Sequence, residues 1–194
     1  MFETVLLTGA AGVGKTTLAA SLALDPRIAV FEYGAELTKR AAIERPWLTQ
    51  EDIRGQSAAF VTGQHVADTD AALQHFVATH GGTRHLVIDS HAVTKEAYGF
   101  RAHPFTPEQL RSAGLSRIVV LHCEPHVLVA RIERDPGGRP MLSEWEAAEH
   151  IGLQAGVALS YSVTFGIPVH FIDCAKDPAW VSAAFLALLG SAPH

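Results

Sequence analysis

Short apolar runs recur along the chain, each followed by a longer stretch in which apolar residues return at three- and four-residue spacing. Val5-Leu6-Leu7, Ile28-Ala29-Val30-Phe31, His85-Leu86-Val87-Ile88-Asp89, Ile118-Val119-Val120-Leu121 and Val169-His170-Phe171-Ile172 read as buried strands. Helices are predicted over 17–22, over 35–42, in two segments filling 50–79 with a break near Gly63, and from Pro125 to about Glu133. A long helix over 143–165 is closed by Gly166, and a last one spans 178–189. Asp25-Pro26, Tyr33-Gly34, Arg45-Pro46 and Gly81-Gly82 turn the chain between them, and Thr49 caps an acidic first turn. Residues 92–114 read as irregular, apart from a short helix opened by Thr106-Pro107-Glu108-Gln109. Strand, helix, strand, helix throughout predicts one α/β domain over 1–194, a doubly wound five-stranded parallel sheet with helices on both faces.

The composition changes this picture little. With 48% hydrophobic and 18% charged residues, 194 residues suffice for one domain with a substantial core. No apolar run approaches the roughly 18 residues of a membrane span. The N-terminus enters the first strand with no basic segment or cleavage site, so a cytoplasmic protein without a membrane partner is expected. A formal charge of −5 argues against a general nucleic-acid surface. Cys123 and Cys174 each follow a strand-like run and could lie near each other at strand ends, but read as small buried residues rather than as a disulfide or metal pair. Trp47, Trp145 and Trp180 read as core positions.

Candidate chemistry is concentrated between the first strand and the first helix. Gly9-Ala10-Ala11-Gly12-Val13-Gly14-Lys15-Thr16, followed by Thr17, has the Walker A spacing in the strand-to-helix context that a phosphate-binding P-loop requires. Glycines let successive N–H groups point at phosphate oxygens, and the helix adds the positive end of its dipole. Lys15 would reach the β- and γ-phosphates of ATP, and the Thr16 hydroxyl would ligate Mg²⁺. Chemistry in an open parallel sheet lies beyond the carboxyl ends of the strands, which sets Asp89 on the same rim, as a direct or more distant partner of the Mg²⁺ or as a solvated strand-end carboxylate.

Taken together, several residues resemble the archaeal-type adenylate kinases and their small nuclear relatives. Beyond the loop, the likeness rests on Tyr33-Gly34 after the second strand, Ile88-Asp89-Ser90-His91 after the third, and Ala130-Arg131 leading to a short segment with Arg139. It continues through Glu149-His150 and Ser160-Tyr161-Ser162-Val163-Thr164-Phe165-Gly166-Ile167-Pro168-Val169. The resemblance implies a P-loop NTPase fold with a short lid at about 134–141 and an acceptor-binding helical region at about 34–80. It implies Mg²⁺-dependent transfer of the γ-phosphoryl of ATP to AMP, and leaves a homo-oligomer open. In these terms Arg131 and Arg139 are candidate phosphate fingers, while Tyr33, Gly34, Arg40 and Arg54 are candidates for the acceptor. His91 could orient Asp89 or touch the phosphates. Gln64 and Ala155 stand where relatives carry arginine, which predicts a weaker hold on the AMP phosphate. Two rivals remain: a kinase for another nucleotide or a small hydroxylated metabolite, with Asp89 as base, and an ATP-operated switch without an acceptor.

Overall fold

The structure, a computed structural model, describes residues 2–190, apart from the side chains of residues 55–58. In chain order the elements are β1 (Thr4–Thr8), α1 (Lys15–Leu22), β2 (Ile28–Glu32), α2 (Tyr33–Glu44), α3 (Gln50–Phe60), α4 (Gly63–His80) and β3 (His85–Asp89). A hairpin of β4 (Val93–Glu96) and β5 (Gly99–Ala102) follows, then α5 (Pro107–Ser112), β6 (Leu115–His122), α6 (Pro125–Arg134), α7 (Glu144–Phe165), β7 (Val169–Asp173) and α8 (Pro178–Leu188).

Five strands form one parallel sheet in the order β2-β3-β1-β6-β7. No tight turn can join parallel neighbours, so the chain crosses over through helices. Side chains alternate across the sheet and divide the core in two. Val5, Leu7, Val119 and Leu121 meet Leu18, Leu22, Leu128, Ile132 and Phe185 on one face, under α1, α6 and α8. Leu6, Ile118 and Val120 meet Leu73, Leu110, Ala158 and Tyr161 on the other, under α4, α5 and α7. Each of these valine, leucine, isoleucine and phenylalanine side chains, fully buried, stabilises the fold by about 1.5–3 kcal/mol. A third, smaller cluster of Ala41, Leu48 and Ile53, with Phe60 and Val61 against it, ties α2 to α3.

Local signals act where the sequence suggests. Thr62, Thr106 and Ser143 each close a capping box, and Thr49 and Asp52 exchange bonds in the same way at the start of α3. Such a cap is worth about 1 kcal/mol.

Three expectations are corrected. Tyr33 and Gly34 do not form a turn; they are the first residues of α2. Residues 93–102 are an antiparallel hairpin rather than irregular chain. Its strands are too short to show a pattern, and α7 holds it: Gln154 Oε1 accepts from the N–H groups of Ala92 and Val93 at 3.1 and 3.0 Å, and His150 Nε2 pairs with the Val93 carbonyl at 3.0 Å. Trp47, Trp145 and Trp180 are 63%, 69% and 51% exposed, so none is a core residue; the core-facing positions of α7 and α8 belong to Ala147, His150, Gln154, Val181 and Phe185.

Candidate functional site

β1 ends in the P-loop, and its glycines are demanded by the backbone. Gly9 and Gly14 have φ of +144° and +101°, values that L side chains rarely adopt, and a Cβ on Gly9 would run into the Leu121 carbonyl of β6. Gly14 caps α1 with no side-chain hydrogen bond. The first N–H groups of that helix are thereby left to an anion, and its dipole favours one. Lys15 is buried, and its Nζ donates to the carbonyls of Gly9 and Ala10 at 2.9 and 3.3 Å. Burial lowers its pKa, and the charge of Asp89 opposes that fall. Thr16 and Thr17 stand exposed on the rim.

Strand pairing sets Leu7 beside Asp89, which puts the carboxylate at the mouth of the loop. Asp89 is 8% exposed. Burial raises its pKa, while Lys15 pulls it down. His91 is held neutral: burial and the nearby Lys15, His150, Arg54 and Arg139 push its pKa down to about 3. Lys15, Arg54 and Arg139 therefore face a common space around Asp89, a cationic site in a chain of net charge −5. Such focusing of positive charge inside an acidic protein suits a polyphosphate.

These groups line a cavity of about 1790 Å³ that runs from the P-loop to α4 and the β4–β5 hairpin. At the far end the Tyr33 hydroxyl donates to Asp70 at 2.7 Å, and Gln109 donates to the other carboxylate oxygen at 2.6 Å. The Phe105 ring meets Tyr33 edge-on, with centroids 5.3 Å apart. The segment after α6 that holds Gly137 and Gly138, within the expected lid at about 134–141, lies on α3. Arg54 Nη1 donates to the Gly137 carbonyl at 3.4 Å, and Gly138 passes so close to the Glu51 backbone that a Cβ there could not fit.

Residues 8–148 match an AAA domain family, AAA_17. The chain belongs to this family. Adenylate kinase from Thermoplasma acidophilum is 27% identical over 174 residues, spanning 86% of this chain and 87% of its own. Adenylate kinase from Thermoplasma volcanium is 28% identical over 173 residues, spanning 86% and 88%. Among solved structures, a gluconokinase from Sinorhizobium meliloti 1021 superposes with a TM-score of 0.53 at 18% identity, covering 95% of this chain and 90% of that one. The tunicamycin resistance protein of Deinococcus radiodurans does so with 0.58 at 18% identity, covering 99% and 100%. At such identities the structural likeness speaks for the fold. By fold and family this AAA_17 member is a P-loop kinase. Among the described residues, no helix is long and apolar enough to cross a membrane.

The sequence-derived candidates in this AAA_17 chain divide into three groups. Residues 11–17, Tyr33, Gly34, Arg54, Asp89, His91, Arg131 and Arg139 all line the cavity, with Gly9 and Ala10 holding Lys15 behind it. Arg131, however, is committed: Nη1 donates to the Val13 carbonyl at 3.0 Å and Nη2 to the Cys174 carbonyl at 2.5 Å. It braces the back of the loop, whereas the Arg139 guanidinium touches the carbonyls of Asp135 and Pro136 in its own segment, at 3.4 and 3.2 Å. Arg40 lies outside the cavity and is paired with Glu36 one turn away. Gln64 is exposed and bonded to Asp68, and neither it nor Ala155 lines the cavity. Sequence reasoning missed Asp70, Phe105, Gln109 and the hairpin residues Thr94, Lys95 and Arg101, which carry no motif. His150 was visible only through the Glu149-His150 pair.

The Mg²⁺ site can be tested against its donors. Thr16 offers a hydroxyl and Asp89 a carboxylate, and both line the cavity. Among the described residues, no three His, Cys, Asp or Glu side chains group as a self-sufficient metal cage. Two hard oxygen ligands fit Mg²⁺, which takes its remaining ligands from nucleotide phosphates and water.

Proposed function

We propose that the protein is a Mg²⁺-dependent nucleoside-monophosphate kinase that moves the γ-phosphoryl group of ATP to AMP. The observation that carries this reading is the single cavity with Lys15, Asp89, Arg54 and Arg139 at one end and the Tyr33-Asp70-Gln109 constellation with Phe105 at the other. The P-loop N–H groups and Lys15 hold the donor phosphates. Bound Mg²⁺, on Thr16 and Asp89, would supply charge neutralisation at the phosphates. Arg54 and Arg139 face charge that spreads over the phosphoryl oxygens as transfer proceeds, which is most of what this reaction asks of a protein. The lid resting on α3 excludes water, so the group passes to the acceptor rather than to solvent. An AMP phosphate is already an anionic nucleophile and needs no base. The names of the two Thermoplasma relatives support AMP as acceptor.

One observation favours a second acceptor class. Asp89 is a buried carboxylate whose pKa is raised, a state suited to taking a proton from a hydroxyl. A small hydroxylated metabolite would use it so. ADP formation from ATP and Mg²⁺, measured across nucleoside monophosphates and sugar acids, decides between them. Stimulation by AMP above all others supports the first reading; stimulation by a hydroxyl acceptor alone replaces it, and phosphate release indifferent to every acceptor removes both.

A further inference from the structure

Behind the P-loop, at the carboxyl ends of β6 and β7, two thiols lie side by side. Strand pairing sets His122 opposite Asp173, and the Cys174 N–H donates to the His122 carbonyl at 2.8 Å. The next residues on each strand, Cys123 and Cys174, are therefore cross-strand neighbours. Both are buried and free, and both belong to the same core cluster. Arg131 Nη1 lies 3.5 Å from that sulfur while also holding the Val13 carbonyl of the P-loop. Cys174 lines the cavity, which gives a small reagent a route to it.

We propose that Cys123 and Cys174 form a reversible intramolecular disulfide when the protein meets a peroxide, and that this bond weakens nucleotide binding by disturbing the Arg131 brace on the P-loop. Adjacent strands are about 4.8 Å apart, inside the Cα separation of about 4.4–6.8 Å that a disulfide accepts. The roles of the two sulfurs are unequal. Cys174 is pushed toward thiolate by the neighbouring Cys123 and by Arg131, against the effect of burial. Cys123 is pushed toward thiol by the neighbouring Cys174 and by burial. Cys174 thus attacks one peroxide oxygen, breaking the O–O bond and becoming a sulfenic acid as hydroxide leaves. Cys123 then attacks that sulfur; its proton and the hydroxyl leave as water and the S–S bond forms. Two thiols lose two electrons and the peroxide becomes two waters. A dithiol reverses the change. In the disulfide, Cys174 offers Arg131 no negative charge, and its sulfur is turned toward Cys123. A charge-assisted contact of this kind is worth about tenfold in an equilibrium constant.

The test uses the full chain with hydrogen peroxide and reads binding, so the identity of the phosphoryl acceptor does not enter. Denaturing thiol titration is expected to lose both thiols, the intact mass to fall by about 2 Da with no crosslinked dimer, and the ATP Kd to rise about tenfold. Dithiothreitol restores all three. Cys123→Ser, or Cys123→Ala should the serine variant fail to fold, is expected to stop at a Cys174 sulfenic acid that dimedone traps. Retention of both thiols, or an intermolecular crosslink, overturns the pairing. Disulfide formation with an unchanged ATP Kd overturns the link to Arg131, and dimedone labelling of Cys123 in Cys174→Ser at the rate of Cys174 overturns the division of roles.

Discussion

At the P-loop end of the cavity, the donor end in the proposed reading, one unbroken stretch, residues 9–17, supplies the loop, the lysine, the hydroxyl and the helix start. At the far end, the acceptor end in the proposed reading, Tyr33 comes from α2, Asp70 from α4, Phe105 from the chain after the hairpin and Gln109 from α5. In that reading the donor end would recognise phosphate with backbone N–H groups that any residue carries, once glycines permit the curl. The acceptor end would recognise its ligand with side chains, each held by a partner from another element. A change at the donor end should therefore abolish a step, while a change at the acceptor end should alter affinity for one substrate.

The largest effect is expected from Lys15→Ala. Turnover should fall roughly a hundredfold to a thousandfold, with circular dichroism unchanged and the melting temperature equal or higher, since burial already disfavours the ammonium. Wild-type turnover would remove the donor end from the comparison.

Asp89→Asn follows, with a loss on the order of a hundredfold that added Mg²⁺ partly restores. Stability should move the other way. The folded pKa of Asp89 is raised above its unfolded value, so the ionised group costs stability at neutral pH and costs nothing below the unfolded carboxylate pKa. The variant is expected to melt higher than wild type at pH 7, the gain vanishing as pH falls through the raised pKa. A lower melt at pH 7 would contradict the placement.

Arg139→Ala should reduce kcat by about tenfold or more, with a smaller change in the ATP KM. Its guanidinium touches carbonyls of its own segment, so it is available to the reacting phosphoryl group. A change confined to the ATP KM would make it a ground-state contact.

At the other end, Tyr33→Phe removes the hydroxyl that donates to Asp70. The acceptor KM should rise about threefold to tenfold while the ATP KM stays constant. Equal shifts in both constants would erase the distinction between the two ends.

Gln64→Arg is expected to do least, less than about threefold on the AMP KM. The position is exposed and off the cavity wall, where a charge is screened by solvent. A tenfold improvement would mean that the long side chain bends into the acceptor end and that an arginine there is a missing clamp.

The sequence by itself determined the five parallel strands, the position of the P-loop and the presence of Asp89 on its rim. These follow from features one segment carries alone: an apolar run that must be buried, glycines at positive φ, a carboxylate at a strand end. It also placed the thiols near strand ends. Only the tertiary structure decided that Cys123 and Cys174 are cross-strand neighbours and that Arg131 is spent on Val13 and Cys174 while Arg139 is not. It alone decided, too, that Arg40 turns back to Glu36, that Asp70 joins Tyr33 to Gln109, and that residues 93–102 are folded onto α7 by Gln154 and His150. Each of these depends on which strands are neighbours and which helix faces which. Those choices are made by packing between segments far apart in the chain, and no local period or spacing records them.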